Sequence, residues 1–335
     1  MKKRLLTLGI LGLGFLCAFG QKLHTPAEVI DIMQQSFVSY QLILLEDEIL
    51  PPDRTNNLNY NHYYRKVEEG QIVTYRYEAS SDLQSYLAEA EGHYQKKNYA
   101  SAREMYLEVL KADSTYYQVM TYIGQTYEAE RDFDNAIEWY EKTISLNYID
   151  YMAHWFLADA YRTRGELDKA VDEITIAMIL NRNNPRIKKS FNDIYALKKL
   201  KTNDWTFNPQ IKFDSLAENQ IEVFFHTDWL GYAIVKALWK YEPGYKESMG
   251  VSEGSFSINE EKEGFLCLIP LFDKKKLKSH PEFNALQLSV DNNMIDEFIF
   301  YEIVLPEHPF VAYQLSEEFI NKIKDYVIEV RGKVK

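Results

Sequence analysis

Between residues 83 and 184 the apolar positions follow two periods at once. They recur at helical spacing within segments of about a dozen residues, and the segments themselves repeat every 34 residues. Ala102, Ala136 and Ala170 mark one such series, and Ala90, Gly124 and Ala158 a second. Tyr106, Tyr140 and Ile174 form a third, and Tyr99, Phe133 and Leu167 a fourth. Glu89, Ile123 and Leu157 run alongside, with only the first breaking the apolar pattern. This spacing predicts units of two helices joined by a tight turn. The small residues let the paired helices approach, and the large ones fill the space on either side. One such unit cannot cover both of its faces, so the units are expected to stack into a superhelix with a concave surface.

The flanking segments lack this period. Asn184-Pro185 opens a helix with Ile187, Phe191, Ile194, Tyr195 and Leu197 to one side, which makes residues 185–201 a capping helix. Residues 21–82 read as an N-terminal cap: Thr25-Pro26 starts a helix whose Val29, Ile30, Met33 and Phe37 share a face. Tyr63 to Tyr77 then reads as a hairpin turning at Glu69-Gly70. In residues 205–335, Gln210–Asp214 and Gln220–His226 alternate as a strand pair. Asp228 is placed to cap a broadly apolar helix from Trp229 to Tyr241, and the segments around Ile295–Ile303 and Phe319–Ile328 also fit helices. The stretch Gly264–Phe272 fits buried strand or helix equally. A mostly helical C-terminal domain is expected, extending the array or folding back on it.

The repeat unit resembles the tetratricopeptide repeat. The most typical segments are Tyr127–Leu146, YEAERDFDNAIEWYEKTISL, and Leu157–Leu180, LADAYRTRGELDKAVDEITIAMIL. Three units fit residues 83–184. The turn glycine survives only as Gly165, with Lys97 and Arg131 in the other two units, and Ser114, Tyr148 and Arg182 replace the usual closing proline. A left-handed turn at Lys97 and Arg131 would then cost about 1 kcal/mol each.

The resemblance implies a mainly α fold, an αα superhelix with minor β-hairpins, and a partner groove lined by the first helix of each unit. Those positions are Leu87, Glu91 and Tyr94 in the first unit and Tyr122, Gln125 and Glu128 in the second. The third supplies Met152, Trp155, Phe156, Asp159 and Arg162. Aromatic faces and a Met suit an apolar anchor, and the acids suit a basic group beside it. Chaperone-binding members of the family hold a C-terminal carboxylate with Lys, Asn and Arg. The matching places here carry Leu87, Glu91, Tyr122, Met152 and Phe156, which excludes that mode.

Composition narrows the reading further. Hydrophobic content of 46% and charged content of 26% belong to a globular chain rather than a disordered one. Lys2, Lys3 and Arg4 precede an apolar run from Leu5 to Phe19, and Ala18-Phe19-Gly20 supplies small residues before Gln21. Residues 1–20 thus read as a secretion signal, with a lipoprotein anchored through Cys17 as the lesser alternative. The run is short for a roughly 30 Å bilayer core. Removing its three cations moves the formal net charge from −12 to −15, which disfavours nucleic acid and prefers neutral or basic partners. A periplasmic or extracellular protein is expected, with no membrane span after cleavage. Cys267, the one cysteine then left, sits in an apolar run and reads as a buried thiol.

No motif for chemistry emerges. The seven His show no ligand pair at helical spacing, so no metal is expected, and no cofactor fingerprint is present. His226-Thr227-Asp228 is the nearest approach to a catalytic cluster, and Glu260-Glu261 reads as a solvated helix start. Two alternatives to a protein-interaction scaffold remain: a hydrolase in 205–335 using the repeats as a platform, or a glycan binder stacking sugars on Trp155, Trp229 or Trp239.

Overall fold

The computed structural model describes residues 22–55, 57–58, 62–77, 80–202, 204–252 and 257–334. The expected secretion signal lies outside them. Along the chain the elements begin with α1 (Pro26–Gln35), β1 (Ser39–Leu44) and the hairpin strands β2 (Tyr63–Glu68) and β3 (Gln71–Arg76). The repeat helices are α2 (Ser81–Gln95), α3 (Tyr99–Ala112), α4 (Gln118–Ala129), α5 (Phe133–Leu146), α6 (Tyr151–Arg164) and α7 (Leu167–Leu180). Next come α8 (Pro185–Leu197), β4 (Ile211–Ala217), β5 (Gln220–Phe225) and α9 (Leu230–Tyr241), followed by shorter helices that end with Glu317–Glu329. Contacts divide the chain into two units. One holds residues 54–203 and 300–333; the other holds the described residues up to 53 together with 204–299. The stretch expected as one C-terminal domain is therefore split between them.

In the repeat unit, the phased small residues do what their size allows. Ala90, Ala102, Ala136, Ala158 and Ala170 are fully buried. A Cβ on Gly124 would lie 2.4 Å from the Tyr140 ring, so only glycine admits that tyrosine between α4 and α5. Each first helix ends in the same turn. Lys97, Arg131 and Gly165 all have positive φ, at 63°, 66° and 78°. The amides of Lys97 and Asn98 donate back to Tyr94 and His93, those of Arg131 and Asp132 to Glu128 and Tyr127, and those of Gly165 and Glu166 to Arg162 and Tyr161. Lys199 stands one further step of 34 along, has φ 62°, and makes the same pair of bonds with Leu200. The helix expected to end the array thus keeps the repeat register, as the first half of a fourth unit.

The described residues between 54 and 77 form a strap along the corners where one repeat passes to the next. The Leu58 amide donates to Asn181 Oδ1 (3.0 Å), and Asn147 Nδ2 donates to the Tyr63 carbonyl (2.9 Å). The Tyr77 hydroxyl donates to the Thr115 carbonyl (2.7 Å) and accepts from the Tyr117 amide (3.0 Å). Asp113, Asn147 and Asn181 close α3, α5 and α7 at equivalent places. The strap's hairpin turns at Glu69 (φ 51°) and Gly70 (φ 79°), two left-handed residues that match the twist of the strands. Behind α7 lies Glu317–Glu329, and buried Glu302 accepts from Tyr326 (3.0 Å) and Arg331 (2.9 Å).

The second unit is a three-stranded sheet, order β1-β5-β4, with α9 on one face and α1 against α9. The expected strand pair is present and antiparallel; β1 joins β5 in parallel, a pairing the sequence reading did not foresee. As its all-round apolar pattern predicts, α9 buries Tyr232, Ala233, Ile234, Val235, Ala237, Leu238 and Trp239. Gly231 and Gly264 let α9 and the helix Ile258–Leu268 meet at the Cys267 carbonyl and the Tyr232 ring. Cys267 is buried, and burial beside Glu263 pushes its thiol up to about 12.

Three local expectations are corrected here. Asp228 does not cap α9: it lies inside a 3-10 turn, Thr227–Trp229, and pairs with Lys276 at 2.6 Å. Glu261 is not solvated but buried, accepting from Tyr232 (2.5 Å) and Lys236 (2.8 Å). On α1 only Val29 is buried, with Met33 packed beside it; Ile30 is exposed on the helix, and Phe37 lies beyond its end at Gln35 and is exposed too.

Candidate peptide-binding groove

The first helices α2, α4 and α6 carry all eleven side chains assigned to the groove. None is fully buried: Glu91 and Arg162 are exposed and the other nine half-buried. Five of them, Leu87, Glu91, Tyr94, Tyr122 and Gln125, share one cavity of about 290 Å³. Tyr106 from α3 and Tyr116 from the inter-repeat corner complete its lining. Tyr106 already stood in a phased series as a packing residue, and its ring turns inward. Tyr116 is in phase with Asp150 and Asn184, the residues that open α6 and α8, a signal legible once caps are aligned by the repeat.

Tyr122 contributes a half-buried ring to this cavity. Its hydroxyl accepts from Gln118, and its ring lies 5.6 Å from Tyr106 and edge-on to His62 of the strap at 6.4 Å. Burial, with Arg76 adding repulsion, lowers His62 to about 4, so the strap presents a neutral imidazole here at neutral pH. Desolvation raises the Tyr122 phenol, which stays protonated.

The second stretch of groove is built on α6. Trp155 stacks on Phe156 at 5.4 Å and 14°, and Trp155 Nε1 donates to Ser190 on α8 (2.9 Å). Phe156 lies 6.0 Å from the Tyr140 ring, whose hydroxyl donates to Glu128 (2.7 Å). Met152 sits in the first turn of α6, where buried Asp150 accepts from its amide at 3.1 Å. Asp159 pairs with Arg162 at 3.0 Å. Desolvation raises both Glu128 and Asp159 despite these partners; the Asp159 charge adds to the rise at Glu128, and Asp193 to that at Asp159. Glu91, Gln125 and Asp159 occupy one helical position in successive units, which lays a polar, mainly acidic line beside the rings.

The rival sites fare differently. His226 is exposed and Asp228 is held by Lys276, so the two form no dyad. Trp229 and Trp239 are buried, so of the three tryptophans named for a glycan only Trp155 is partly open to solvent. Among the described residues no cluster of three or more His, Cys, Asp or Glu is arranged to hold a metal, and no helix is long and apolar enough to cross a membrane.

Residues 87–147 and 123–177 match the sequence model of the tetratricopeptide repeat. No curated protein matches the chain in sequence. Among solved structures, the chain is similar to the first TPR of Spaghetti (RPAP3) bound to an HSP90 peptide, at 16% identity and TM-score 0.34 over 36% of this chain and 96% of that one. It is also similar to the Yersinia enterocolitica type III secretion chaperone SycD in complex with a peptide of the translocator YopD, at 22% identity and TM-score 0.33 over 36% and 97%. A third is the Arabidopsis OM64 TPR domain, at 14% identity and TM-score 0.33 over 34% and 95%. Residues 81–180 are thus a tetratricopeptide-repeat array, built from the helix pairs α2–α3, α4–α5 and α6–α7.

Proposed function

We propose that this protein is an exported interaction scaffold whose concave groove takes a neutral or basic peptide segment of another protein. The observation that supports it is the half-open cavity around Tyr122, continuous in helical position with Trp155 and Phe156 and edged by Glu91, Glu128 and Asp159. Such a surface suits one apolar or aromatic side chain in the cavity and a Lys or Arg along the acidic line. A free carboxylate tail would meet carboxylates, and so would a nucleic-acid phosphate.

Panning a random peptide display library on the full chain tests this. Enriched peptides should combine an aromatic or aliphatic residue with Lys or Arg. Their affinity should fall about tenfold on the exposed substitution Glu91→Lys, which replaces attraction by repulsion, and further on Tyr122→Ala. Enriched peptides that bind both variants as well as the parent would place the site elsewhere. Export is tested separately: the mature protein should be recovered outside the cytoplasm with Gln21 as its first residue, and a cytoplasmic chain retaining Lys2–Arg4 would refute it.

A further inference from the structure

The two edges of the sheet in the second unit are treated unlike each other. Edge strands expose unpaired amides and carbonyls, and proteins usually guard them with charges, bulges or proline. The β4 edge has such guards: Lys212 and Asp214 lie on the strand, and the register slips between Ser215 and Ala217. The β1 edge has none. Its sequence, Ser-Tyr-Gln-Leu-Ile-Leu, holds no charge and no proline.

The pairing of β1 fixes which groups are free. Ser39 donates to Asn219 and Leu45 to Phe225, so the odd-numbered residues face β5. The N–H and C=O groups of Tyr40, Leu42 and Leu44 therefore point to the open side. Leu42 and Leu44 are 44% and 60% exposed, and Phe37, just before the strand, is 70% exposed. An uncharged edge with exposed leucines is a template for another strand.

We infer that β1 pairs with β1 of a second copy of this chain, antiparallel about a two-fold axis at Leu42. Leu42 then lies opposite the partner's Leu42, and Tyr40 opposite the partner's Leu44. All three outward-facing residues of each strand find hydrogen bonds, and the exposed leucines cover one another on a continuous six-stranded sheet. Charge selects this arrangement over a parallel one. Glu46, Asp47 and Glu48 follow the strand and are exposed. Parallel pairing in register would set each against its own copy, whereas the two-fold places them opposite the partner's Val38, Phe37 and Ser36. The two acidic runs end up roughly 25 Å apart, beyond the screening length of about 8 Å. A chain of net charge −12 can self-associate here because the contact itself is neutral.

Sedimentation equilibrium of the full chain, with and without Leu42→Lys, tests this. The parent should dimerise, and the lysine pair on the axis should weaken the dimer by about tenfold or more with the circular dichroism spectrum unchanged. In a Cys17→Ser background with Cys267 buried, Leu42→Cys should crosslink rapidly under mild oxidation, because opposed bonded residues lie about 5.5 Å apart at Cα. Gln41→Cys, opposite Ile43 rather than itself, should not. The proposal is overturned by a chain monomeric at its highest soluble concentration. A dimer indifferent to Leu42→Lys, or one that Leu42→Cys does not link, overturns it equally.

Discussion

The buried hydroxyls of the repeat array and the buried carboxylates of the sheet-bearing unit find their partners over very different distances along the chain. In the array, three buried threonines bond one turn back in their own helices, Thr126 to the Ile123 carbonyl, Thr143 to Trp139 and Thr175 to Val171, and Thr121 reaches Asp150 of the next unit (3.3 Å). In the second unit, buried Glu263 accepts from the His24 amide (2.8 Å), Trp239 Nε1 (2.6 Å) and the Tyr245 hydroxyl (2.9 Å). Glu242 likewise gathers Ser36 (2.6 Å) and Tyr40 (2.9 Å) from the chain's beginning. Local bonds meet the needs of these hydroxyls within or next to each repeat, while the buried Asn147 and Asn181 at the corners take their partners from the strap. Convergent satisfaction makes single carboxylates junctions between segments that lie far apart in the sequence.

That contrast can be broken by substitution, and the largest effect is expected at Glu263. Glu263→Ala strands several buried donors at once and should cost about 3 kcal/mol or more, read as a lowered urea midpoint. A loss below about 1 kcal/mol would mean the network is dispensable. The strap comes next. The unfolded His62 takes up its proton near pH 6.5 and the folded one near 4, so stability is full above 6.5 and is lost as the pH falls through that window. At about 1.4 kcal/mol per unit the loss reaches about 3 kcal/mol, and His62→Gln should flatten that part of the profile. Within the array, Gly124→Ala drives a methyl into the Tyr140 ring and should cost about 1–3 kcal/mol by thermal unfolding. The smallest change has the opposite sign. Lys97→Gly and Arg131→Gly relieve left-handed strain and should each stabilise by about 1 kcal/mol, while Gly165→Ala should lose a similar amount.

The same contrast explains what could be read from sequence. The array was legible because each contact recurs at a fixed step, so Ala102, Ala136 and Ala170 announce one another. The strained turns at Lys97 and Arg131 were legible by alignment with Gly165 alone. The hairpin at Glu69-Gly70 and the β4–β5 pair were legible because their partners adjoin in sequence. The β1–β5 pairing was not, since a parallel partner far along the chain leaves no local mark. Glu261 looked solvated because its partners, Tyr232 and Lys236, lie on another helix. Of the cavity lining, Leu87, Glu91, Tyr94, Tyr122 and Gln125 were legible as first-helix positions; the contact of His62 with Tyr122 was not, because the strap carries no repeat. The fourth turn at Lys199 also escaped, having neither glycine nor a following second helix to mark it.

The strap has a consequence for how long this array can be. It touches the corner at Asn181 through Leu58, the corner at Asn147 through Tyr63, and the corner at Thr115 through Tyr77, so it passes the repeats in reverse order. Leu58 and Tyr63, five residues apart in sequence, bond to corners one repeat step of 34 residues apart. The strap is thus a gauge. Duplicating a repeat would satisfy the helices on either side of the insertion, yet would leave the strap one corner short. Repeat number in this protein is counted by a segment that is not itself a repeat, which couples any change in array length to a matched change in residues 54–77.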